Sequence, residues 1–460
     1  MNKIISPSAK AIYLLACCLS TRAVTAQTGA PAASSTTTYG KQLYLPAKVW
    51  MVPDSNDYKN DASAFSYKRM ATSDNVALFW TKTLGDNPLQ HPDSTKRFSP
   101  SALLAECERF YNYYVNDLQS VQKGKSVTDS FKILIYVIDS KDGTAFGGGE
   151  DNKVGILWTP PARISKAPYG ALAHELGHCF QYLVHADGAW GFTGAPEGSH
   201  GQTIFEMTSQ YMLWQVYPEW MTFENYHLKS YLKQTHYAFL HENNQYHSPY
   251  VLEYWSAKHG KNFIGKLWKE SVAGEDPVLA YQRLTGINQK EFNNEMFDAA
   301  CHFITWDMPR IEQIAAQYAN THTTRLDSTH SGWLRITPDQ CIQNYGYNGI
   351  QLQVPATGTK VTVQFRGIKD DTAFRAIHAE LAGWRYGFVA VKADGSRVYG
   401  KACDKANGKI SFSVPENTRY LWLVVSGAPT KHWQHITDGK PDNDEQWPYE
   451  IQLTGTALAK

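Results

Sequence analysis

The segment Ala171-Leu-Ala-His-Glu-Leu-Gly-His-Cys-Phe-Gln181 carries two histidines four residues apart, His174 and His178, with Glu175 directly after the first. On a helix, residues at that spacing stand one above the other on one face, so both imidazoles can share a cation. Two neutral imidazoles and a carboxylate suit Zn2+, which keeps a coordination place open where it activates water. Glu175 is then placed to accept the water proton and return it to a leaving amine. Tyr169, Leu172, Leu176, Phe180 and Leu183 form a separate apolar face, and burying that face turns the His–Glu stripe toward a cleft.

The extended metzincin pattern needs a glycine three residues and a histidine six residues beyond His178, but Gln181 and Val184 stand there. A downstream carboxylate is therefore expected to supply the third ligand, and Glu197 and Glu206 compete for the place. Glu197 sits in Gly194-Ala-Pro-Glu-Gly-Ser199, a loop composition. Glu206 sits in the helical stretch Thr203-Ile-Phe-Glu-Met-Thr-Ser-Gln-Tyr-Met-Leu-Trp214, although Thr203 and Glu206 also spell a capping box. A helix holds a ligand more rigidly than a glycine-flanked loop, which favours Glu206. Gln181 lies on the metal face, where it orients a ligand, touches substrate or meets solvent, and His185 is expected at the surface. Amide hydrolysis also needs a donor for the developing oxyanion, and His247 and Tyr250, flanking a helix start, are the candidates.

These residues need a frame. Runs at 76–80 and 131–138 are β-prone, the second nearly continuous in apolar residues, as a central buried strand is. Between them Ser99 can cap, and Pro100 can open, a helix whose apolar face is Leu103, Cys107, Phe110, Tyr114 and Leu118. Gly147-Gly148-Gly149 reads as a loop, and 154–158 as a short strand stopped by Pro160-Pro161. From about 166 to 307 the signals are helical: Ser248-Pro249 starts one helix that Gly260 ends, and Phe292, Met296, Ala300 and Phe303 mark the buried face of another. After Trp333 the period changes to that of strands, at 350–354, 361–365, 386–391, 410–414 and 420–425, which predicts a β-sandwich. The expected fold class is α+β, with a catalytic domain over 43–332, strands first and helices later, and an all-β sandwich domain over 333–460. Asp307 and Arg310 are expected to make a structural ion pair or cap. Trp158 and the tryptophans Trp384, Trp422, Trp433 and Trp447 are expected to pack cores, the last four having carbohydrate stacking as the alternative.

Five segments stand in order along the chain: Ser73-Asp-Asn-Val-Ala-Leu-Phe-Trp80, Gly155-Ile-Leu-Trp-Thr-Pro160, His174-Glu-Leu-Gly-His-Cys-Phe-Gln181, Asp276-Pro-Val-Leu-Ala-Tyr281 and Thr305-Trp-Asp-Met-Pro-Arg310. With them the chain up to about Arg310 resembles an uncharacterised bacterial family of secreted HExxH proteins catalogued as domain of unknown function 6055. The zinc motif followed by a helical Glu is also similar to the gluzincin peptidases that include the enhancin and mucin-cleaving group. That similarity implies a gluzincin-like zinc metalloendopeptidase acting on a protein or glycoprotein substrate. The runner-up is a non-hydrolytic glycan- or protein-binding surface protein with a structural or vestigial zinc site.

A chain of 460 residues with 43% hydrophobic content can bury two or three cores. Its net charge of +1 supplies no field that would attract nucleic acid or an acidic membrane. Residues 1–26 read as an export signal, with Lys3 and Lys10 ahead of the apolar run 11–19 and Val24-Thr25-Ala26 before Gln27. The alternative is a lipid anchor on Cys17; in both cases the protein is expected to be exported to the periplasm, the outer surface or the medium. Residues 27–42 form a flexible leader, and no other apolar run approaches the roughly 20 residues of a membrane span. Beyond the signal, Cys107, Cys179, Cys301, Cys341 and Cys403 are sparse and form no CxxC pair; Cys341 with Cys403 is the candidate bridge.

Overall fold

The apolar run Ile-Leu-Ile-Tyr-Val forms the centre of a sheet because it can be buried on both faces. The computed structural model describes residues 40–459 except Asp142 and Asp370, so the segment read as an export signal and most of the expected leader lie outside the described residues. Strands β1 (Met70–Thr72), β2 (Val76–Trp80), β3 (Ile133–Val137), β4 (Phe146–Glu150) and β5 (Val154–Thr159) order as β1-β2-β3-β5-β4. The three inner strands run parallel and both edge strands antiparallel. Alternation divides the side chains: Val76, Leu78, Trp80, Ile133, Ile135 and Val137 face the helices, whereas Ala77, Phe79, Leu134, Tyr136, Ile156 and Trp158 face Val49 and Phe65 of the N-terminal segment. Trp158 is thus core.

Helix α1 (Pro100–Asn116) begins where expected, Ser99 Oγ accepting the Ala102 N–H at 3.3 Å. Helix α2 (Gly170–Ala186) buries Leu172, Leu176, Phe180 and Leu183 against it and the sheet. There follow α3 (Thr203–Val216), α4 (Trp220–Phe223), α5 (Asn225–Tyr231), α6 (Tyr250–His259), α7 (Phe263–Lys269), α8 (Pro277–Thr285), α9 (Gln289–Phe303) and α10 (Glu312–Ala315). Arg310 makes a two-pronged contact with buried Glu253, each arm 2.8 Å, while Asp307 accepts from Tyr399 at 2.6 Å; both are structural, with separate partners.

The expected loop at Gly147-Gly148-Gly149 is instead the body of β4, and packing gives the reason. A Cβ on Gly147 would lie 2.2 Å from the Glu175 carbonyl oxygen and 2.8 Å from His178 Cβ, and one on Gly149 would lie 2.1 Å from the Tyr182 ring. Only glycine lets this strand approach α2 so closely.

Two antiparallel sheets complete the chain. Strands β6 (Leu326–Ser328), β7 (Trp333–Ile336), β8 (Tyr347–Leu352), β9 (Lys360–Gly367), β10 (Trp384–Lys392), β11 (Arg397–Tyr399), β12 (Asn407–Ser413), β13 (Thr418–Gly427) and β14 (Tyr449–Thr454) order as β11-β10-β13-β8 and β12-β9-β14-β7-β6. Inward residues of both sheets, among them Ile350, Val363, Phe365, Tyr386, Leu423 and Ile451, share one core. The other face of the four-stranded sheet packs Val389, Val391, Trp422 and Val424 into the helical core, so the two parts are continuous. Trp384, Trp422 and Trp447 are at most 1% exposed, and Trp433 packs on Trp447 and His378, as the packing expectation has it. The Cys341–Cys403 bridge does not form: all five described cysteines are free thiols, Cys341 in the core and Cys403 paired by its backbone to Tyr386. Among the described residues no helix is long and apolar enough to cross a membrane.

The glycine contact is measurable. Gly147→Ala is expected to cost about 1–3 kcal/mol in urea or thermal unfolding, the usual price of overpacking, whereas Gly148→Ala, with nothing within 4 Å of the new methyl, should leave the midpoint unchanged.

Candidate metal centre

Helix α2 lies with its apolar face down, which lifts His174 and His178 toward α3. The two helices touch at Gly177, where an added Cβ would sit 3.0 Å from Ser209 Oγ and 3.2 Å from Ser209 Cα. That close approach carries Glu206, one turn before Ser209, to the imidazoles. Glu206 Oε2 is 3.0 Å from His174 Nε2 and 3.2 Å from His178 Nε2, and the two nitrogens are 3.1 Å apart. Tetrahedral zinc bonds of about 2.0–2.1 Å put ligand atoms roughly 3.3 Å apart, so this triangle fits such an ion with little movement. Glu175, His174 and His178 also bring ligand-type atoms within 4.8 Å of one another.

The histidine tautomer is set from behind. Gln181 Nε2 donates to the Phe205 carbonyl at 2.8 Å and to Ser209 Oγ at 3.0 Å, which fixes the amide and leaves its Oε1 to accept His178 Nδ1–H at 2.9 Å. The proton that a cation would displace is therefore the one on His178 Nε2, which then turns its lone pair to the centre of the triangle. Of the roles open to Gln181 on sequence, orienting a ligand is the one its contacts match.

Electrostatics follow from burial plus proximity. Burial disfavours the charged His178, yet the Glu206 carboxylate and its hydrogen bond outweigh that and raise its pKa to about 9. Burial likewise works against the Glu206 charge, and the His178 and His174 rings hold its pKa well below the ordinary carboxylate value. Glu175, 9% exposed, has its pKa raised, chiefly by burial.

The remaining expected residues separate. Glu197 is exposed in the loop before α3, away from the triangle. The capping-box reading of Glu206 does not hold, because Gln202 is the capping position and Glu206 turns to the histidines. Tyr250 is a correction: it is fully buried among Trp214, Tyr231 and Trp306, with an unpartnered hydroxyl, so it is a core residue and not an oxyanion donor. His185 is near the surface, 3.3 Å from the Ala189 carbonyl. His247 pairs its Nδ1 with His227 Nδ1 at 2.7 Å. Gln210 Nε2 donates to both the Tyr246 carbonyl and His227 Nε2, so His227 must donate from Nδ1, and His247 carries its own proton on Nε2. Burial lowers the pKa of both rings, keeping them neutral.

Sequence reasoning missed two neighbours. Tyr246 stacks on His174 with ring centres 6.2 Å apart, and Glu224, whose pKa is raised by burial, accepts Trp220 Nε1–H at 2.7 Å and feels the His174 charge. Neither stands at a helical spacing from the motif, so no local pattern could have exposed them.

Residues 35–460 match the family of unknown function DUF6055. The chain belongs to that family. The match runs past Arg310 through both C-terminal sheets, so the DUF6055 unit includes the all-β part. No curated protein matches the chain. Among solved structures, the Glycosylation Associate Protein (Gap123) complex from Streptococcus agalactiae matches at 10% identity and a TM-score of 0.17, over 30% of this chain and 39% of that one. The overlap spans well under half of the solved chain.

Two measurements test this DUF6055 site. Gln181→Leu is expected to weaken zinc binding about 10–100-fold, Glu206→Gln by more, and Glu197→Gln hardly at all; equal losses from the two glutamate variants would remove Glu206 from the ligand set. Because His178 holds its proton up to about pH 9, zinc binding at pH 7 should release about one proton, read as a buffer-dependent calorimetric heat. In the metal-free protein the His178 contribution to stability is fully present below pH 6.5 and lost as pH rises through 9, whereas that of Glu206 is present above its ordinary carboxylate pKa and lost on acidification.

Proposed function

We propose that this DUF6055 protein is an exported zinc metalloendopeptidase, with 43–332 a gluzincin-like catalytic domain and 333–460 a β-sandwich. The reading is carried by one observation: His174 Nε2, His178 Nε2 and Glu206 Oε2 converge within 3.2 Å of one another beside the buried Glu175 carboxylate. These three residues would hold the ion, whose chemistry when bound is to acidify a water and polarise a carbonyl. Glu175 takes the proton from the attacking water and hands it to the departing amine, a task suited to a carboxylate whose pKa burial has raised. His247, next to the Tyr246 that stacks on His174, carries its proton on Nε2 and would be the donor for the carbonyl oxygen as charge develops on it.

A peptide suits the surroundings. β4 ends its sheet and runs against α2 at Glu175 and His178, so an extended chain added to its outer edge passes beside the site and is gripped by main-chain hydrogen bonds. A purely structural zinc site would close its fourth place with a protein ligand and has no use for Glu175.

Glu175→Gln is expected to lower cleavage of a mixed protein substrate by at least about 100-fold, the low end of general acid–base contributions, with zinc content and unfolding midpoint unchanged. Product peptides counted by mass spectrometry decide it; wild-type turnover in the variant would end the mechanism.

A further inference from the structure

A second set of metal-type side chains lies away from the HExxH site, where the long connection between β13 and β14 crosses the helical part. His241 comes from the segment between α5 and α6, and His435 and Asp444 from that connection. His241 Nε2 is 3.0 Å from Asp444 Oδ2, His435 Nε2 is 4.0 Å from Asp444 Oδ1, and the two rings lie 5.0 Å apart. One donor atom from each falls within a 4.8 Å circle. Glu242 adds a further oxygen, 3.1 Å from His435 Nε2 and 3.5 Å from His241 Nδ1. His241 and Asp444 are at most 6% exposed, and so is the His435 side chain.

Charge is the second argument. Glu242, Asp444 and the fully buried Glu445 bring three carboxylates to one place, and among the described residues no lysine or arginine pairs with any of them. Arg375 reaches the loop but spends its Nε on the Asp444 backbone carbonyl. Three carboxylates held in one buried place with no lysine or arginine paired to them are costly, and a cation among them offsets that cost.

We infer that His241, His435 and Asp444 form a second zinc-class site, structural in role, which Glu242, now on the Nδ1 side of His241 and beside His435 Nε2, closes by turning its carboxylate inward. Two imidazole nitrogens and carboxylate oxygens are the donor set of the HExxH triangle, and four protein ligands leave no place for water. Ring protons have somewhere to go. His241 Nδ1 now accepts the Asn243 N–H at 3.0 Å, so its proton sits on Nε2 toward Asp444; with a cation on Nε2 that proton moves to Nδ1, and the ring gives up the Asn243 contact.

The ion would pin a strap. Thr437 of the same connection donates its Oγ1–H to the Gly201 carbonyl at 2.6 Å and accepts the His200 N–H at 2.8 Å, and His432 pairs with Asp276 at 2.7 Å. Residues 199–201 lead directly into α3 and Glu206, and the segment that carries His241 continues to Tyr246 and His247. One structural ion would thus hold the lead-ins to both walls of the first site.

The test counts zinc by equilibrium dialysis of the chelator-stripped full-length protein. Wild type should take two equivalents, the His174→Ala/His178→Ala variant one, and the His435→Ala/Asp444→Asn variant one. In the His174→Ala/His178→Ala variant, added zinc should also raise Tm and slow protease cutting within 430–445, a readout independent of activity. If that variant binds no zinc, or if His435→Ala/Asp444→Asn still binds two equivalents, the second site is overturned. A wild type that binds one equivalent, kept without the HExxH histidines and lost with His435 and Asp444, upholds this site while removing the first. Should the His435→Ala/Asp444→Asn protein fail to fold, the HExxH variant alone decides.

Discussion

The backbone of α2 rests on α3 at Gly177 and Ser209, and every functional distance in the first site descends from that contact. A side chain at Gly177 would hold the helices apart, and Glu206 reaches the imidazoles only because its helix is so near. Ser209 serves twice, as the surface that Gly177 meets and as an acceptor that locks Gln181. One short stretch of helix contact therefore sets the spacing of the three side chains, the His178 tautomer and their burial together. Because interiors are close-packed, such a contact tolerates little adjustment.

How much could be read beforehand depended on whether the information was local. The HExxH pair, its apolar face, the cap at Ser99 and the buried run at β3 all follow from spacing within one element, and each is found where expected. Five of the nine described C-terminal strands were legible by alternation, with bounds differing by a few residues, while β6, β7, β11 and β14 were not. Glu206 was preferred to Glu197 by rigidity alone, and it is Glu206 that stands beside the imidazoles. What failed was tertiary. Three glycines look like a turn until a helix is seen lying on them, Tyr250 looks available until an aromatic cluster closes around it, and Cys341 and Cys403 share a region without facing each other. Tyr246, Glu224 and the His241 group are joined to their neighbours by folding, with no periodic trace in the chain.

The helical part and the two C-terminal sheets share a core, Trp422 and Val424 packing with the helices while Leu421 and Leu423 on the same strand face the opposite sheet. Strand β13 is buried on both sides for this reason. The connection after it returns to the helical surface through His432, His435 and Thr437, so the all-β part touches the region around α3 as well as α9. A family match that spans both parts agrees with a unit in which neither surface is complete alone.

Strand β4 has no side chains over three consecutive residues, and this bears on selectivity. A backbone-only ribbon offers any neighbouring chain the same ladder of donors and acceptors whatever that chain's composition. It has no pockets with which to tell one residue from another, and a one-step slide along it loses little. If a chain is bound along β4 as proposed, discrimination must come from the side of the site that carries Tyr246, which stacks on His174, while the glycine edge contributes only direction.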